Sequence, residues 1–204
     1  MPIDKQVLRT VTSKKRLPFD PQETRLLPSW PLPNYAYVPG RFPHPSRDPT
    51  AHQTGSPPAP ATKLDPAHWA TNLHYLRGID LFNCGYYWEA HEAWETLWHL
   101  AGRRGMVANF LKALIALAAA GVKTRAATPS GSAHHARRAR SLFETLLPDT
   151  PADSNRFFGL SLPDLIHHAR SIEKNTNDLT PSPGIPVPIV MPFRLSPRIP
   201  LPLG

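Results

Sequence analysis

The stretch Met106-Val107-Ala108-Asn109-Phe110-Leu111-Lys112-Ala113-Leu114-Ile115-Ala116-Leu117-Ala118-Ala119-Ala120-Gly121-Val122 decides the fold. Its apolar residues fall on nearly every side of a helical wheel, as in a helix that is covered all round. Asn109 and Lys112 interrupt it, and a membrane span asks for about 20 uninterrupted apolar residues. The stretch therefore predicts a buried helix in the middle of a bundle, running from Met106 to about Ala126 and stopping before Pro129.

Working outward, the helix before it spans about Tyr86 to Ala101 and stops at Gly102. Another begins at Asp65-Pro66, an acid followed by proline at the first helical position, and ends at Gly85. Downstream, Ser132 caps a helix that runs to Leu147 and halts at Pro148. The last starts at Ser161-Leu162-Pro163-Asp164, a capping-box spacing with Asp in place of Glu, and fades near Asn175. No strand-like alternation stands out. The expectation is an all-α fold, a bundle of about five helices with short connections and antiparallel neighbours.

Proline sets the outer limits. Of 26 prolines, 14 lie in residues 1–66 and 8 in residues 181–204, a density that no helix interior tolerates. The expected organisation is a Pro-rich arm over 1–64, the helical bundle over 65–178 and a Pro-rich tail over 179–204. The arm also holds Trp30, Tyr35, Tyr37 and Phe42, rings that are costly to leave in water. Leu32 to about Phe42 should lie extended across the body, and residues 53–63 read as a linker.

The net charge of +8 sits mostly in the extensions, +4 in residues 1–66 and +2 in the tail, so it argues weakly for nucleic acid. Cys84 is the only cysteine, which excludes an intramolecular disulfide and makes a cytoplasmic setting the expectation. No apolar run of signal-peptide length follows Met1, and no membrane partner is expected.

The chemistry concentrates in Tyr87-Trp88-Glu89-Ala90-His91-Glu92-Ala93-Trp94-Glu95-Thr96-Leu97-Trp98-His99. With His91 at zero on the wheel, Tyr87, Trp94 and Trp98 fall within about 60° on one side, and Glu95, Trp88, His99 and Glu92 within about 100° on the other. Ala90, Ala93 and Leu97 take the opposite face. Carboxylates and imidazoles among such rings are partly desolvated, a condition met at functional sites and in structural ion pairs alike.

His91 and Glu95 are four residues apart, as are Glu95 and His99, so each pair can reach one point. These three are the candidate metal ligands. His91, Glu92 and Glu95 are the candidate catalytic groups, as ligands or general base in metal-assisted hydrolysis. Tyr87, Trp88, Trp94, Trp98 and Lys112 are expected to line the ligand site, and His74, His134 and His135 are the candidates to complete a shell. Against this stands a structural reading, in which His91 and Glu95 bond each other and the Trp N–H groups.

Four other features have two readings each. Lys112 either pairs with Glu92, Glu95 or an anionic ligand, or snorkels at the helix start. The basic run His134, His135, Arg137, Arg138, Arg140 is a phosphate- or RNA-facing surface or, more simply, a solvated helix side. Cys84 is a nucleophile or, the preferred reading, a small packing residue. His44 to His52 is a lid or a local turn.

The pattern Phe82-Asn83-x-Gly85-x-Tyr87-Trp88-Glu89-Ala90-His91-Glu92-x-Trp94-Glu95-x-x-Trp98 resembles the signature of the family called domain of unknown function 309. Phe110-Leu111-Lys112-Ala113-Leu114-Ile115 is similar to that family's next apolar helix, and the resemblance covers about Asp65 to Leu147. Tyr35-x-Tyr37-Val38-Pro39-Gly40 and His44-Pro45-x-Arg47-Asp48-Pro49 resemble the arm of its longer members, with Ala51 where those carry Gly. The resemblance implies a small helical bundle and a bacterial-type cytoplasmic protein, and supplies no reaction. It also weakens a catalytic role for Lys112, since relatives often carry an amide there.

The functional expectation is thus a helical binding protein with a His/Glu/Trp site for a metal ion or small polar ligand, in one version a metal-assisted hydrolase. The cofactor is left unknown, with a divalent metal as the candidate. The rival is a structural or interaction protein whose Trp-rich face is core or an interface with a second copy.

Overall fold

The structure, a computed structural model, describes residues 25–45, 48, 60–149, 155–179 and 187–200. Five helices dominate: α1 (Leu73–Asn83), α2 (Tyr87–Leu100), α3 (Gly105–Arg125), α4 (Pro129–Glu144) and α5 (Leu162–Lys174). Short connections fold each of the first three against the next, and α4 packs on α5. The α3 helix lies between α2 and α4, as its all-round apolar sequence requires. It is long and apolar enough to cross a membrane by length and composition, yet 56% of its apolar window is buried inside the bundle.

The helix limits follow local chemistry. Gly85 and Gly102 take positive φ, 85° and 77°, just past α1 and α2, the left-handed stop that glycine adopts without strain. Ser161 caps α5 by accepting the Asp164 N–H. Two starts differ from expectation. Asp65 does not cap a helix; its carboxylate accepts the Ala67 N–H and meets the His68 ring, closing a turn. The cap of α1 is Asn72, whose side chain accepts the Tyr75 N–H, after a 3-10 turn over Trp69–Thr71. Likewise α4 begins at Pro129 rather than at Ser132, whose hydroxyl is buried against that of Thr124 at 2.8 Å. Proline at the first helical position explains the earlier start.

A two-stranded hairpin that no sequence pattern announced joins α4 to α5. Its strands, β1 (Arg156–Phe157) and β2 (Leu160–Ser161), pair antiparallel. Two residues per strand are too few to show an alternation.

Both Pro-rich extensions enter the core. Ala36, Tyr37 and Val38 of the arm are buried, and polar side chains of the body, Asp80, Arg77, Glu89 and Tyr86 among them, hold its backbone. The Asp80 carboxylate accepts the N–H groups of Leu26 and Leu27 at 2.7 and 2.8 Å. Arg77 donates to the carbonyls of Trp30 and Pro31. Glu89 accepts the Tyr37 N–H at 2.8 Å. Within residues 32–42, Ala36, Tyr37 and Val38 are buried against the body, while Phe42 is 40% exposed. Most of the 53–63 linker and of the His44–His52 cluster lies outside the described residues.

On the other side of the bundle, Asn83 donates to and accepts from the backbone of Leu195, both at 2.8 Å. The Tyr87 hydroxyl accepts the N–H groups of Val190 and Met191 at 3.0 and 3.1 Å. Phe193 stacks on His168 with ring centroids 3.9 Å apart and 3° between planes.

Burial pulls the pKa of His168 below its usual value, reinforced by His167 and opposed by Asp164. The unfolded chain takes up this proton near pH 6.5, the ordinary histidine value of about 6.5, and the folded chain only at lower pH. Folded protein thus binds fewer protons in that window, and stability should fall as pH drops from about 7 toward 5.5. His135 shifts in the same direction. Thermal melts across that range should show the decline, and His168→Phe, which keeps the stack, should make it shallower. An unchanged slope would exclude His168 as a contributor.

Candidate metal and ligand site

The α2 helix is covered on three sides, and this decides which of its side chains meet solvent. Its buried arc runs from Tyr87, about −40° from His91 on the wheel, through Trp94 and Ala90 to Leu97 at about −120°. Trp94 is fully buried and donates its indole N–H to the Tyr75 carbonyl at 3.3 Å. Tyr87 is equally buried, against Phe82 and the tail. Burial pushes its hydroxyl up to about 12, against the pull of the two N–H groups that it accepts. Tyr87 and Trp94, expected to line the site, are therefore core residues in one apolar face with Ala90 and Leu97. Trp88 sits under the arm, edge-on to Tyr37 and His44 at 5.1 and 5.4 Å. Of the Tyr and Trp residues of α2, only Trp98 is left at the open arc.

That arc faces a groove of about 180 Å3 between α2, α3 and α4, lined by His91, Glu95 and Trp98 from α2, Lys112 with the apolar Ile115, Ala116 and Ala119 from α3, and His135 and Arg138 from α4. At its mouth His91, Glu92 and Glu95 each bring one donor atom within 4.8 Å of the others. His91 Nδ1 lies 3.4 Å from Glu92 Oε1 and 4.0 Å from Glu95 Oε2, with side-chain exposures of 27%, 45% and 39%. These contacts lie within ion-pair range, but His91 Nδ1 is buried and makes no hydrogen bond among the described residues. Neither does the indole N–H of Trp98. The Trp N–H groups do not go to the carboxylates, so that part of the structural reading is not found.

The spacing can be compared with a cation. Donor–metal bonds of about 2.0–2.2 Å in tetrahedral array put neighbouring donors about 3.3–3.6 Å apart. The His91–Glu92 distance meets this already, and the His91–Glu95 distance of 4.0 Å needs only a small side-chain rotation. Imidazole and carboxylate together suit a divalent ion such as Zn2+ or Mn2+.

His99 does not join the cluster. Its Nδ1 accepts from Arg103 Nε at 2.9 Å, one turn on, and its ring lies against Trp98. His134 is exposed, whereas His135 reaches the groove, where burial lowers its pKa with help from His134, Lys123, Arg138 and His91. His74 lies edge-on to Trp30 at 5.5 Å, beneath the arm. Cys84 is buried, and burial together with the Asp80 charge pushes its thiol up to about 11, which leaves it inert at neutral pH.

The residues that sequence reasoning missed are Asp80, Glu89, Arg77 and Asn83, the buried polar groups that hold arm and tail. Glu89 offered a signal. It lies about 160° from His91, beside Ala90 and Ala93, and a charge on an apolar face marks a buried group with a partner.

Residues 75–135 match the model of a family described as Domain of unknown function (DUF309). No curated protein and no solved structure matches the chain.

Proposed function

We propose, on the premise that residues 75–135 make this chain a member of the domain of unknown function 309 family, that it is a helical binding protein for a divalent metal ion. His91, Glu92 and Glu95 are its ligands, and the groove between α2, α3 and α4 is the adjoining ligand site. The observation that carries this reading is the convergence of three donor atoms within 4.8 Å where the buried His91 Nδ1 lacks a hydrogen bond.

Three protein donors leave coordination positions open, as in catalytic rather than structural sites. When bound, the metal supplies Lewis-acid and water-activating chemistry suited to hydrolysis. In a hydrolytic version, His91 and one of the two half-exposed carboxylates would hold the metal, and the other, Glu92 or Glu95, would act as general base instead of ligand. His91, the least exposed of the three, is the anchoring ligand.

Calorimetric titration of Zn2+ and Mn2+ into the chelator-treated protein tests the reading. One binding event per chain is expected, weakened about 100-fold or more by His91→Ala and about 10-fold by Glu95→Gln, with melting temperatures of the metal-free variants near wild type. No saturable binding, or equal binding by His91→Ala, would refute it.

A second reading is an interface, favoured by Leu100 and Met106, which stand 45% and 48% exposed on either side of the α2–α3 turn. If a second copy covers them, sedimentation should show dimer dissociating on dilution, and Leu100→Glu should give monomer at all concentrations. A wild-type monomer throughout would dismiss this reading.

A further inference from the structure

We infer that the groove beside the metal ligands is a phosphate subsite, in which Lys112, Arg138 and the Trp98 indole N–H hold a phosphate group against the metal. The inference rests on the metal reading given above and names the chemical class of ligand for that same site.

The charges on the groove walls divide by helix. The α2 wall carries the acidic ligand Glu95, with Glu92 beside it in the ligand cluster; α3 and α4 supply Lys112, His135 and Arg138. Lys and Arg elsewhere on α4 have partners. Arg137 and Arg140 donate to Glu173 at 2.8 and 3.2 Å, and Arg140 also to Glu144 at 2.9 Å. Among the described residues, Lys112 and Arg138 make no ion pair or hydrogen bond of this kind. Two uncompensated cations therefore line one groove, and the buried Trp98 N–H without an acceptor belongs to a third lining residue. Each of the three donates and none accepts, so the complementary ligand is an oxygen-rich anion.

Size and valence narrow the class. About 180 Å3 is below the roughly 300–1,000 Å3 of sites for drug-sized ligands, which disfavours a whole nucleotide. A carboxylate has two oxygens, whereas donors on three helices and a metal approach from more than two directions. A phosphate offers oxygens to all of them, and Lys and Arg are its usual protein partners. Without metal, Glu92 and Glu95 repel such an anion. With metal bound, the α2 wall reverses its sign. Phosphate and metal should therefore tighten each other's binding by the same factor.

The test uses the full chain and four titrants. Mn2+ alone comes first, into wild type, Lys112→Met and Arg138→Gln; its failure would overturn the metal reading itself, and this inference with it. Inorganic phosphate is then titrated into the Mn2+-loaded and the chelated proteins, with acetate as the comparison anion and methyl phosphate to tell a free phosphate from a monoester. Support consists of phosphate or methyl phosphate binding to loaded wild type at least about 10-fold tighter than to chelated protein. Either variant should lose about 10-fold or more while keeping its Mn2+ affinity. The tighter of the two phosphates identifies the source. Both variants alter side chains at the bundle surface, and matched melts establish that they fold. Normal Mn2+ binding with no phosphate binding, with phosphate binding unaffected by both variants, or with acetate bound as tightly, would overturn the phosphate subsite and leave the metal reading standing.

Discussion

Trp94→Ala should destabilise the protein by about 3–5 kcal/mol, the usual cost of emptying a core site of that size, while Trp98→Ala should cost about 1 kcal/mol or less. Trp94 is fully buried, packs on Phe82 and donates to the Tyr75 carbonyl. It also fits against Gly78, where an added Cβ would overlap the indole nitrogen, so Gly78→Ala should cost about 1–3 kcal/mol by overpacking. The α2–α3 contact has the same form, since a Cβ at Gly121 would lie 2.5 Å from Tyr87 Cγ. Trp98 lies at the groove, with one face toward Arg103 at 5.4 Å, and its loss opens no closed cavity. Urea denaturation of the four proteins gives the comparison. A Trp98→Ala cost equal to that of Trp94→Ala would contradict the separation of core from groove.

Asp80→Ala should cost a further large sum, about 3–5 kcal/mol, as expected when one partner of a buried charged network is removed. Asp80 is buried in α1; it accepts two arm N–H groups and lies 3.8 Å from Arg25 Nε. Arg77 beside it is pulled down to about 10 by burial and by Arg25, with Asp80 opposing. Removing the carboxylate leaves two N–H groups and two guanidinium groups without their anion. Asp80→Asn keeps an acceptor but not the charge and should fall between. The arm should loosen first, so trypsin should cut at Arg25 and Arg41 faster in the alanine variant than in wild type. A variant within about 1 kcal/mol of wild type, cut no faster, would show that apolar packing alone seats the arm.

These two results address what could be read from the sequence and what could not. The five helices were legible because they are local. Gly85, Gly102, Pro129 and Ser161 mark their limits by backbone chemistry, and the apolar run after Met106 has one stable place. The start of α1 was misjudged because Asp65-Pro66 satisfies the rule for a helix cap and for a turn equally well, and only Asn72 has its side chain on the Tyr75 N–H. The site was half legible. Angles on a wheel grouped Tyr87, Trp94 and Trp98 around His91, but they do not say which sectors neighbours cover. The arm over Trp88 and the tail over Tyr87 are joined to α2 by contacts some 50 and 100 residues away. Such long-range burial left only Trp98 beside His91, Glu92 and Glu95. The cationic wall was legible as residues and not as a wall, because Lys112 and Arg138 meet only where α3 packs on α4.

The most direct test of the proposed metal site is elemental analysis of tag-free protein, paired with melting curves before and after chelator. Near-stoichiometric divalent metal in wild type, its loss from His91→Ala, and a wild-type melting temperature lowered by chelator are the results predicted. Metal-free wild type with a melt that neither chelator nor added Zn2+ or Mn2+ moves would contradict it, and His91, Glu92 and Glu95 would then be a surface ion-pair cluster on α2.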